Sequence, residues 1–334
     1  MSTTQTAVRL HGPSDLRVES VPFDAALKPD EVLVRVRATG VCGSDLHPYE
    51  TGSIGSTTLN QPLVLGHEFS GVVEEIGVDV ENLAMGARVA IDPAWVCGNC
   101  RECLGGNPNL CRKQRFCGLA PDDGSLRSRL VAPARFCHPI PDGVSDASAA
   151  LLEPLGIALH ATDLARIRVG ARVAILGAGP IGLCLAQTCK VAGAGTVWIH
   201  DILPYRQKFA EKYGAIPLPD CAEADVVIEA AWAKESVQHA MEIAKPGGTV
   251  VLVGIPFEDH VEFSHSTARR KGLTILMSRR MKNVYGRCLA LVQSGRVDVE
   301  SLVTHRFPLG KTPDAFAMNA KYEQEVVKII IENP

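Results

Sequence analysis

One glycine motif in the middle of the chain constrains the fold more than any other feature. Gly177-Ala178-Gly179-Pro180-Ile181-Gly182 directly follows the apolar run RVAIL and opens the helical pattern PIGLCLAQTCK. In a strand–turn–helix of this kind, the first glycine makes the tight turn, the second admits a pyrophosphate to the backbone, and the third lets the helix pack on the strand. Considered alone, the motif is also explained by an ordinary glycine-rich turn.

The residues after the motif favour a dinucleotide site. Asp201 ends the next strand, near the spacing expected of the carboxylate that binds the adenosine ribose hydroxyls. Because a carboxylate there repels a 2′-phosphate, we expect NAD rather than NADP. Arg206 has three open interpretations, since it would lie over the adenine, cap a helix or be a plain surface arginine.

Strand and helix patterns alternate from the glycine motif onward, which predicts a doubly wound parallel sheet. Before about residue 150, short strand patterns such as EVLVRVRATGVC lie between turns and predict a mostly β domain. The predicted fold class is therefore α/β, with a nucleotide domain and a second, mostly β domain. We expect the mostly β domain over residues 1–153, the nucleotide domain over 154–290, and a C-terminal segment, 291–334, that returns to the first domain.

Composition excludes several classes of protein. The chain has 334 residues and a formal net charge of -3, so it is long enough for two cores and has no basic excess for nucleic acid. The N-terminal sequence lacks the apolar core of a secretion signal, and no apolar run is long enough to span a bilayer. We therefore expect a cytoplasmic protein with no membrane or nucleic-acid partner.

Four of the eleven cysteines fall in one short loop. In a reducing compartment such a cluster favours a metal over disulfides or free thiols, because four thiolates at this spacing surround one tetrahedral zinc ion. Four protein ligands leave no open position, so this zinc would brace the loop and do no chemistry. The four residues are Cys97, Cys100, Cys103 and Cys111.

A second, reactive zinc would supply the electrophile that a nicotinamide enzyme needs at the substrate oxygen. Each candidate ligand also has a structural explanation: a cysteine can be a small buried hydrophobe, a histidine can be satisfied in the core, and a glutamate can sit at a helix N-terminus. The candidates are Cys42, His67, Glu68 and Glu153.

Together these residues carry a family resemblance that runs nearly end to end. The chain resembles the zinc-containing medium-chain dehydrogenases, most closely the sorbitol (polyol) dehydrogenase branch. The resemblance implies a GroES-like catalytic domain around the nucleotide domain, with the cofactor and the reactive zinc meeting between them. It is carried by GVCGSDLH, GHEFSG, the cysteine loop, CGLAPDDGSL, LLEPLG, GAGPIG, EIAKPGGTVVLVG and LVTHRFPL.

The resemblance also implies roles for individual residues. Cys42 and His67 would bind the catalytic zinc, with Glu68 or Glu153 as the third protein ligand. Ser44 and His47 match the family's proton relay, in which the serine passes the substrate proton towards the ribose and a histidine at the surface. Alcohol dehydrogenases of this superfamily have a cysteine at the position of Glu153, so the glutamate indicates the polyol, glucose or threonine dehydrogenases.

We assign three further backbone positions, Val253, Gly254 and Ile255, to the cofactor site, and Tyr49, Arg279 and Arg280 to the substrate site. Two departures from sorbitol dehydrogenases bear on the substrate. Pro48 and Arg280 stand where tyrosines are common. Arg280 either faces solvent or an acid, or it binds a substrate carboxylate or phosphate, for which a guanidinium is well suited.

The expected function is an NAD- and zinc-dependent dehydrogenase of a polyol or sugar, assembled as a homodimer or homotetramer. The alternative is the same chemistry on a sugar phosphate, an acid-bearing alcohol or threonine. A dinucleotide-binding relative without catalysis belongs to a different class, and the complete set of zinc ligands argues against it. The apolar segment GLTILMS, residues 272–278, predicts an edge strand that would pair with a second copy.

Overall fold

The computed structural model describes residues 3–258 and 260–333. The chain forms two compact units. Unit 1 comprises the chain up to Glu153, Tyr285–Gln293 and the chain from Asp298 onward, and unit 2 comprises Pro154–Val284 and Ser294–Val297.

The helices and strands of the described residues are numbered here in chain order. The helices are α1 (Gly43–Thr51), α2 (Arg101–Leu104), α3 (Asp146–Ala150), α4 (Leu152–Ala165), α5 (Pro180–Val191), α6 (Pro204–Glu211), α7 (Ser236–Ile243), α8 (His265–Lys271), α9 (Tyr285–Gln293) and α10 (Thr312–Ala320). The strands are β1 (Thr3–Leu10), β2 (Leu16–Phe23), β3 (Glu31–Gly40), β4 (Ser53–Ile54), β5 (Thr57–Thr58), β6 (Leu63–Val64), β7 (Glu68–Ile76), β8 (Arg88–Ile91), β9 (Ala94–Trp95), β10 (Arg115–Phe116), β11 (Arg129–Pro133), β12 (Cys137–Pro139), β13 (Arg172–Leu176), β14 (Thr196–His200), β15 (Ile216–Pro217), β16 (Ala224–Glu229), β17 (Ala244–Leu252), β18 (Thr274–Met277), β19 (Val303–Pro308) and β20 (Lys328–Glu332).

Unit 2 is built on a parallel sheet, as the alternating pattern predicts. Its strand order is β15-β14-β13-β16-β17-β18, and every pairing in it is parallel. The order reverses between β13 and β16, and ligands of doubly wound sheets bind where it reverses, beyond the carboxyl ends of the strands. The glycine motif follows β13 at this position. The apolar segment over 272–278 forms β18 at the edge of the sheet, as predicted.

Unit 1 is mostly β, which confirms the fold class predicted for the first part of the chain. Its larger sheet has the order β12-β8-β7-β3-β20-β19, and β11 also pairs with β3. A smaller sheet has the order β2-β1-β6. The C-terminal strand β20 pairs with the end of β3, where Ile330 lies opposite Gly40. The C-terminal strand therefore lies beside the carboxyl end of β3.

The helix α1 was not foreseen in this β-rich part of the sequence. It follows β3 directly and ends at Gly52, which takes the left-handed conformation with φ 76°. A proline and only one long aliphatic residue within α1 hide its helical periodicity. The helix carries Ser44, His47 and Tyr49, so its position decides where these predicted site residues lie.

Among the helices of the described residues, none combines the length and the apolar character needed to cross a bilayer.

Candidate functional site

Two of the candidate ligands of the reactive zinc, Cys42 and His67, meet at the carboxyl end of β3. Gly40, the last residue of β3, pairs with Glu68, the first residue of β7, so the chain just after β3 lies beside the chain just before β7. This pairing brings Cys42 and His67 together. Ser44 Oγ donates to Cys42 Sγ at 3.3 Å and lies 3.3 Å from His67 Nε2.

Asp45, which the sequence analysis missed, orients His67. Its Oδ1 lies 3.2 Å from His67 Nδ1, and its Oδ2 accepts the Cys42 backbone N–H at 3.2 Å. Because the carboxylate binds Nδ1 of His67, Nε2 is left to bind a metal. This is the usual arrangement of zinc-binding histidines. The sequence signal was available, because an acid three residues after a helix N-cap closes a capping box.

The charges around His67 favour a cation at this point. Burial alone would lower the pKa of His67, but the charges of Asp45 and Cys42 and hydrogen bonds to both raise it well above its usual value. The Cys42 sulfur and the imidazole that Asp45 orients therefore present one sulfur and one nitrogen donor at this point. Such a set suits zinc.

The structure does not bring either candidate glutamate into a compact ligand set with Cys42 and His67. In the part of the chain that the structure describes, no group of three or more potential ligands around these two residues has all its donor atoms within 4.8 Å of one another. Glu68 is buried and paired with Lys328, whose Nζ lies 2.8 Å from its Oε2. Glu153 is 5% exposed at the start of α4.

His47 differs from its predicted position at the protein surface. His47 is 1% exposed, so the prediction that the relay ends in a histidine at the surface is wrong. The reason is that α1 packs into the interior of unit 1, where Tyr49 stands edge-on to Phe316 with ring centroids 5.4 Å apart. Burial lowers the pKa of His47. Tyr49, assigned to the substrate, thus lies in the hydrophobic core of unit 1.

The four clustered cysteines form a compact thiol site. Their Sγ atoms all lie within 4.8 Å of one another, with neighbouring distances of 3.5, 3.6 and 3.8 Å. Tetrahedral zinc with Zn–S bonds of about 2.3 Å requires sulfur atoms about 3.8 Å apart, so the geometry fits zinc.

The ionisation of these thiols also indicates a cation. A backbone hydrogen bond from Asn99 lowers the pKa of Cys97 to about 6. Burial and the hydrogen bond with Cys100 raise the pKa of Cys103 to about 12. Four neighbouring thiols thus do not all ionise by themselves, and a bound cation is what would hold all four as thiolates.

The glycine motif of unit 2 has the geometry that a dinucleotide requires. Gly177 has a φ of 100°, and Gly179 is the N-cap of α5, whose first residue is Pro180. A Cβ on Gly182 would lie 1.9 Å from the Gly177 carbonyl oxygen, so only glycine allows α5 to approach β13 this closely. Ile181 is the second residue of α5. The free N–H groups of such a helix start bind a pyrophosphate.

Asp201 and Arg206 lie beside this loop. Asp201 Oδ2 accepts the Ala178 N–H at 2.7 Å, and its Oδ1 accepts the Leu203 N–H at 2.8 Å. The carboxylate thus joins the glycine loop to the loop after β14. Arg206 Nη1 lies 3.6 Å from where a Cβ on Gly179 would be, and its Nε is 3.2 Å from the Tyr205 hydroxyl.

Glu229 is a second residue that sequence reasoning missed. Glu229 is buried and is the last residue of β16, and its Oε1 accepts the Ala231 and Trp232 N–H groups at 2.8 and 3.0 Å. Its Oε2 lies 3.3 Å from the backbone nitrogen of Gly254. Glu229 therefore links the loops after β16 and β17, and the second loop contains the predicted cofactor residues Val253, Gly254 and Ile255. An acid at the end of a buried strand was the available signal.

The two arginines assigned to the substrate follow the edge strand β18 of unit 2. Arg279 is exposed and Arg280 is half-buried. Arg280 has a φ of 52°, in the left-handed region that arginine rarely adopts.

Comparison with known proteins identifies the family of this chain. The family model described as an alcohol dehydrogenase GroES-like domain matches residues 28–142, and the one described as a zinc-binding dehydrogenase matches residues 180–294. The sorbitol dehydrogenase of Bombyx mori is 34% identical, over 99% of this chain and 100% of that protein. The chain belongs to the zinc-containing medium-chain dehydrogenases.

Further relatives place this dehydrogenase in the polyol branch of that family. The D-xylulose reductase of Saccharomyces cerevisiae is 34% identical, over 99% of each chain. The structure of L-idonate 5-dehydrogenase from Escherichia coli matches with a TM-score of 0.92 and 27% identity, over 99% of each chain. Membership of the family makes zinc and NAD(H) the cofactors of this dehydrogenase.

Proposed function

We propose that this dehydrogenase oxidises a secondary alcohol of a polyol or sugar, of the sorbitol or xylitol type, to a ketose with NAD. The similarity to a sorbitol dehydrogenase and a D-xylulose reductase over nearly the whole chain supports this substrate class. Glu153 stands where alcohol dehydrogenases have cysteine, and it favours the polyol side of the superfamily.

The observation that carries the proposal is the cluster around Ser44. Its hydroxyl lies 3.3 Å from both Cys42 Sγ and His67 Nε2, the two donor atoms expected at the reactive zinc. A hydroxyl in contact with both ligands is placed to receive a proton from a substrate held at the same metal. Asp45 fixes the imidazole that completes this arrangement.

We assign the chemistry as follows. When bound, zinc supplies a Lewis acid that lowers the pKa of the substrate hydroxyl, and NAD supplies the hydride acceptor. Cys42 and His67 would hold the metal, with Glu68 or Glu153 as the third protein ligand. Ser44 would take the hydroxyl proton and pass it towards the ribose and His47. Burial lowers the pKa of His47 and keeps its imidazole neutral and able to accept a proton near pH 7.

In unit 2 the glycine motif would hold the pyrophosphate, Asp201 the adenosine ribose, and the backbone from Val253 to Ile255 the nicotinamide half. The proposed domains follow the expected division: a catalytic domain over residues 1–153, an NAD domain over 154–290 and a returning segment over 291–334.

The test of substrate class is NADH formation with a panel of sorbitol, xylitol, threonine, a sugar acid and a sugar phosphate. We expect the specificity constants for the neutral polyols to exceed those for the other compounds. Greater activity on threonine or on a charged sugar would contradict the polyol assignment while leaving the dehydrogenase chemistry intact.

A second substrate class is favoured by Arg280. Arg280 lies in the chain just after the edge strand β18 of the nucleotide sheet. In addition, one structural relative is named for idonate, a sugar acid. In this alternative Arg280, with Arg279, would bind the carboxylate or phosphate of the substrate. Tyr49, in unit 1, would contact a substrate only through its hydroxyl, since its ring lies in the core.

The substitution Arg280→Tyr separates the two classes. For an acid-bearing substrate, loss of a charge-assisted hydrogen bond of about 1.5–3 kcal/mol raises KM by roughly ten- to a hundredfold. For a neutral polyol the change in KM should be small. Arg270→Tyr, at an exposed position of α8, is the matched control. An unchanged ratio of specificity constants would place Arg280 outside the substrate pocket.

We further propose a cytoplasmic homodimer or homotetramer. The sheet of unit 2 ends at β18, whose outer edge pairs with no other strand of the described residues. Met277, the last residue of β18, is 72% exposed. An edge of this kind invites pairing with a second copy about a two-fold axis. Sedimentation as a monomer at every concentration would reject the assembly.

A further inference from the structure

Glu229 is a buried acid of unit 2 to which the chemistry proposed above gives no role. It is 2% exposed at the end of β16. Its Oε1 accepts the Ser236 hydroxyl at 2.7 Å, in addition to the N–H groups of Ala231 and Trp232. Its Oε2 lies 3.3 Å from the Gly254 nitrogen and accepts that N–H. Four donors therefore share one buried carboxylate.

The two carboxylate oxygens serve different segments. The donors to Oε1 lie in the loop after β16 and at the first residue of α7, and the donor to Oε2 lies in the loop after β17. The Glu229 backbone carbonyl also accepts the Val253 N–H at 2.8 Å and the Gly254 N–H at 3.2 Å. Within the described residues, the hydrogen bonds of the Glu229 carboxylate all go to these segments, and none goes to the glycine motif.

The loop after β17 approaches Glu229 so closely because residue 254 is a glycine. A Cβ there would lie 2.7 Å from Glu229 Oε2 and 2.8 Å from the Trp232 nitrogen, so any larger residue would move the loop away from the carboxylate. The rings of Trp232 and Phe257, 5.7 Å apart between centroids, connect the same two loops. The position of the loop after β17 therefore depends on the end of β16.

A second acid of unit 2 occupies the corresponding place on the other side of the glycine motif. The motif follows β13, and the sheet order places β14 and β16 on opposite sides of β13. Asp201, after β14, binds the glycine loop through the Ala178 N–H, whereas Glu229, at the end of β16, binds the loop after β17. The proposed adenosine and nicotinamide segments thus depend on different carboxylates.

We propose that Glu229 is a positioning residue of the cofactor site, which holds the loop over residues 253–255 where it binds the nicotinamide half of NAD. This inference rests on the proposed function, which assigns that loop to the nicotinamide. Glu229 acts through the Gly254 backbone and does not itself touch the cofactor. A loop already held in its binding position loses less conformational freedom when the ligand binds, so the carboxylate strengthens nicotinamide binding alone.

The test compares two ligands of the full-length, zinc-loaded protein by isothermal titration calorimetry. NADH contains both halves of the cofactor, whereas ADP-ribose lacks the nicotinamide. Glu229→Gln keeps one acceptor oxygen for Ala231, Trp232 and Ser236 but turns an NH₂ group towards the Gly254 N–H. Because two donors then face each other, we expect the Kd of NADH to rise about tenfold, while the Kd of ADP-ribose stays unchanged.

Two further variants control the comparison. Glu242→Gln makes the same substitution at an exposed position of α7 and should leave both Kd values unchanged. Asp201→Ser should raise both Kd values by the same factor, because both ligands contain the adenosine ribose that Asp201 is proposed to bind.

Equal weakening of both ligands by Glu229→Gln would overturn the inference, since a general loss of structure has that effect. Unchanged binding of both ligands to the folded variant would overturn it as well. If Glu229→Gln fails to fold, Glu229→Asp decides by the same comparison. The aspartate keeps the negative charge, but its shorter side chain withdraws the second oxygen from Gly254, so NADH binding alone should weaken.

The wild-type protein separates this inference from the proposed function. If NADH binds no more tightly than ADP-ribose to the wild type, the assignment of residues 253–255 to the nicotinamide is rejected, and the inference with it. If NADH binds more tightly and Glu229→Gln leaves that difference unchanged, the inference alone is rejected.

Discussion

The Asp45 carboxylate lies 3.2 Å from His67 Nδ1, and both side chains are buried beside the end of β3. The contact engages Nδ1 of His67 and leaves Nε2 for the proposed metal. It connects the first turn of α1 to the residue before β7. The orientation of the proposed metal ligand His67 thus depends on a helix that also carries the proposed proton acceptor Ser44.

Asp45→Asn should weaken the catalytic metal site. The amide keeps the shape of the carboxylate but loses the charge that supports the imidazole, and loss of such a partner lowers metal affinity by about 10- to 100-fold. Competition with a chelator measures the affinity. Asp142→Asn, at an exposed position of the same unit, is the control. Equal affinities in both variants would show that Asp45 has no role in holding the ligand.

His47→Gln should slow alcohol oxidation, because general acid–base groups contribute about 10²–10⁴-fold to a rate. Burial lowers the pKa of His47, so the neutral, proton-accepting form persists below the usual histidine pKa. Wild-type activity should fall as pH decreases through that lowered pKa, and the variant should lose this acid limb. The readout is the pH profile of kcat/KM. His260→Gln, whose side chain is 73% exposed in the wild type, should keep the limb.

Asp201 should determine cofactor choice. Asp201→Ser removes the ribose partner and the repulsion of a 2′-phosphate, so NAD binding should weaken by about 1–3 kcal/mol while NADP use rises. It also removes the contacts with the Ala178 and Leu203 N–H groups. Asp201→Asn, which keeps one acceptor oxygen, controls for those contacts. Wild-type preference for NADP would reject the assignment of Asp201.

Cys111→Ser should destabilise the protein without changing the chemistry of the molecules that stay folded. The site loses one of four thiolates, so its zinc should dissociate and the melting temperature should fall. Cys221→Ser, at an exposed cysteine outside the cluster, is the control. Zinc content, Tm and kcat per folded molecule provide the measurements. A loss of kcat with full stability would indicate a catalytic role for the cluster.

Local sequence patterns predicted a large part of this account. The glycine motif and Asp201 lie within one strand–helix–strand unit, and the four cysteines lie within one loop, so their spacing alone indicates their contacts. The parallel sheet of unit 2 also follows from the regular alternation of strands and helices. In each case the partners are close in sequence.

The residues that sequence analysis missed act through distant partners. Lys328 and Glu68 are separated by 260 positions, and only the pairing of β20 with β3 brings them together. The burial of His47 depends on how α1 packs in the core, which no local pattern of α1 expresses. Asp45 and Glu229 each had a local signal, a capping-box position and the end of a buried strand, but neither signal indicates the contact with His67 or with Gly254.

The most direct test of the proposed enzyme is the stoichiometry of zinc against activity on sorbitol and xylitol. Purified protein should contain two zinc ions per chain, as four-thiolate and mixed-ligand sites together require. Brief chelation should remove the one ion of the open site, and NADH formation should fall in proportion to the zinc lost from that site. Added zinc should restore both the zinc content and NADH formation. A protein that keeps full polyol-dependent NADH formation after losing that ion, or that holds a single zinc while active, would contradict the account.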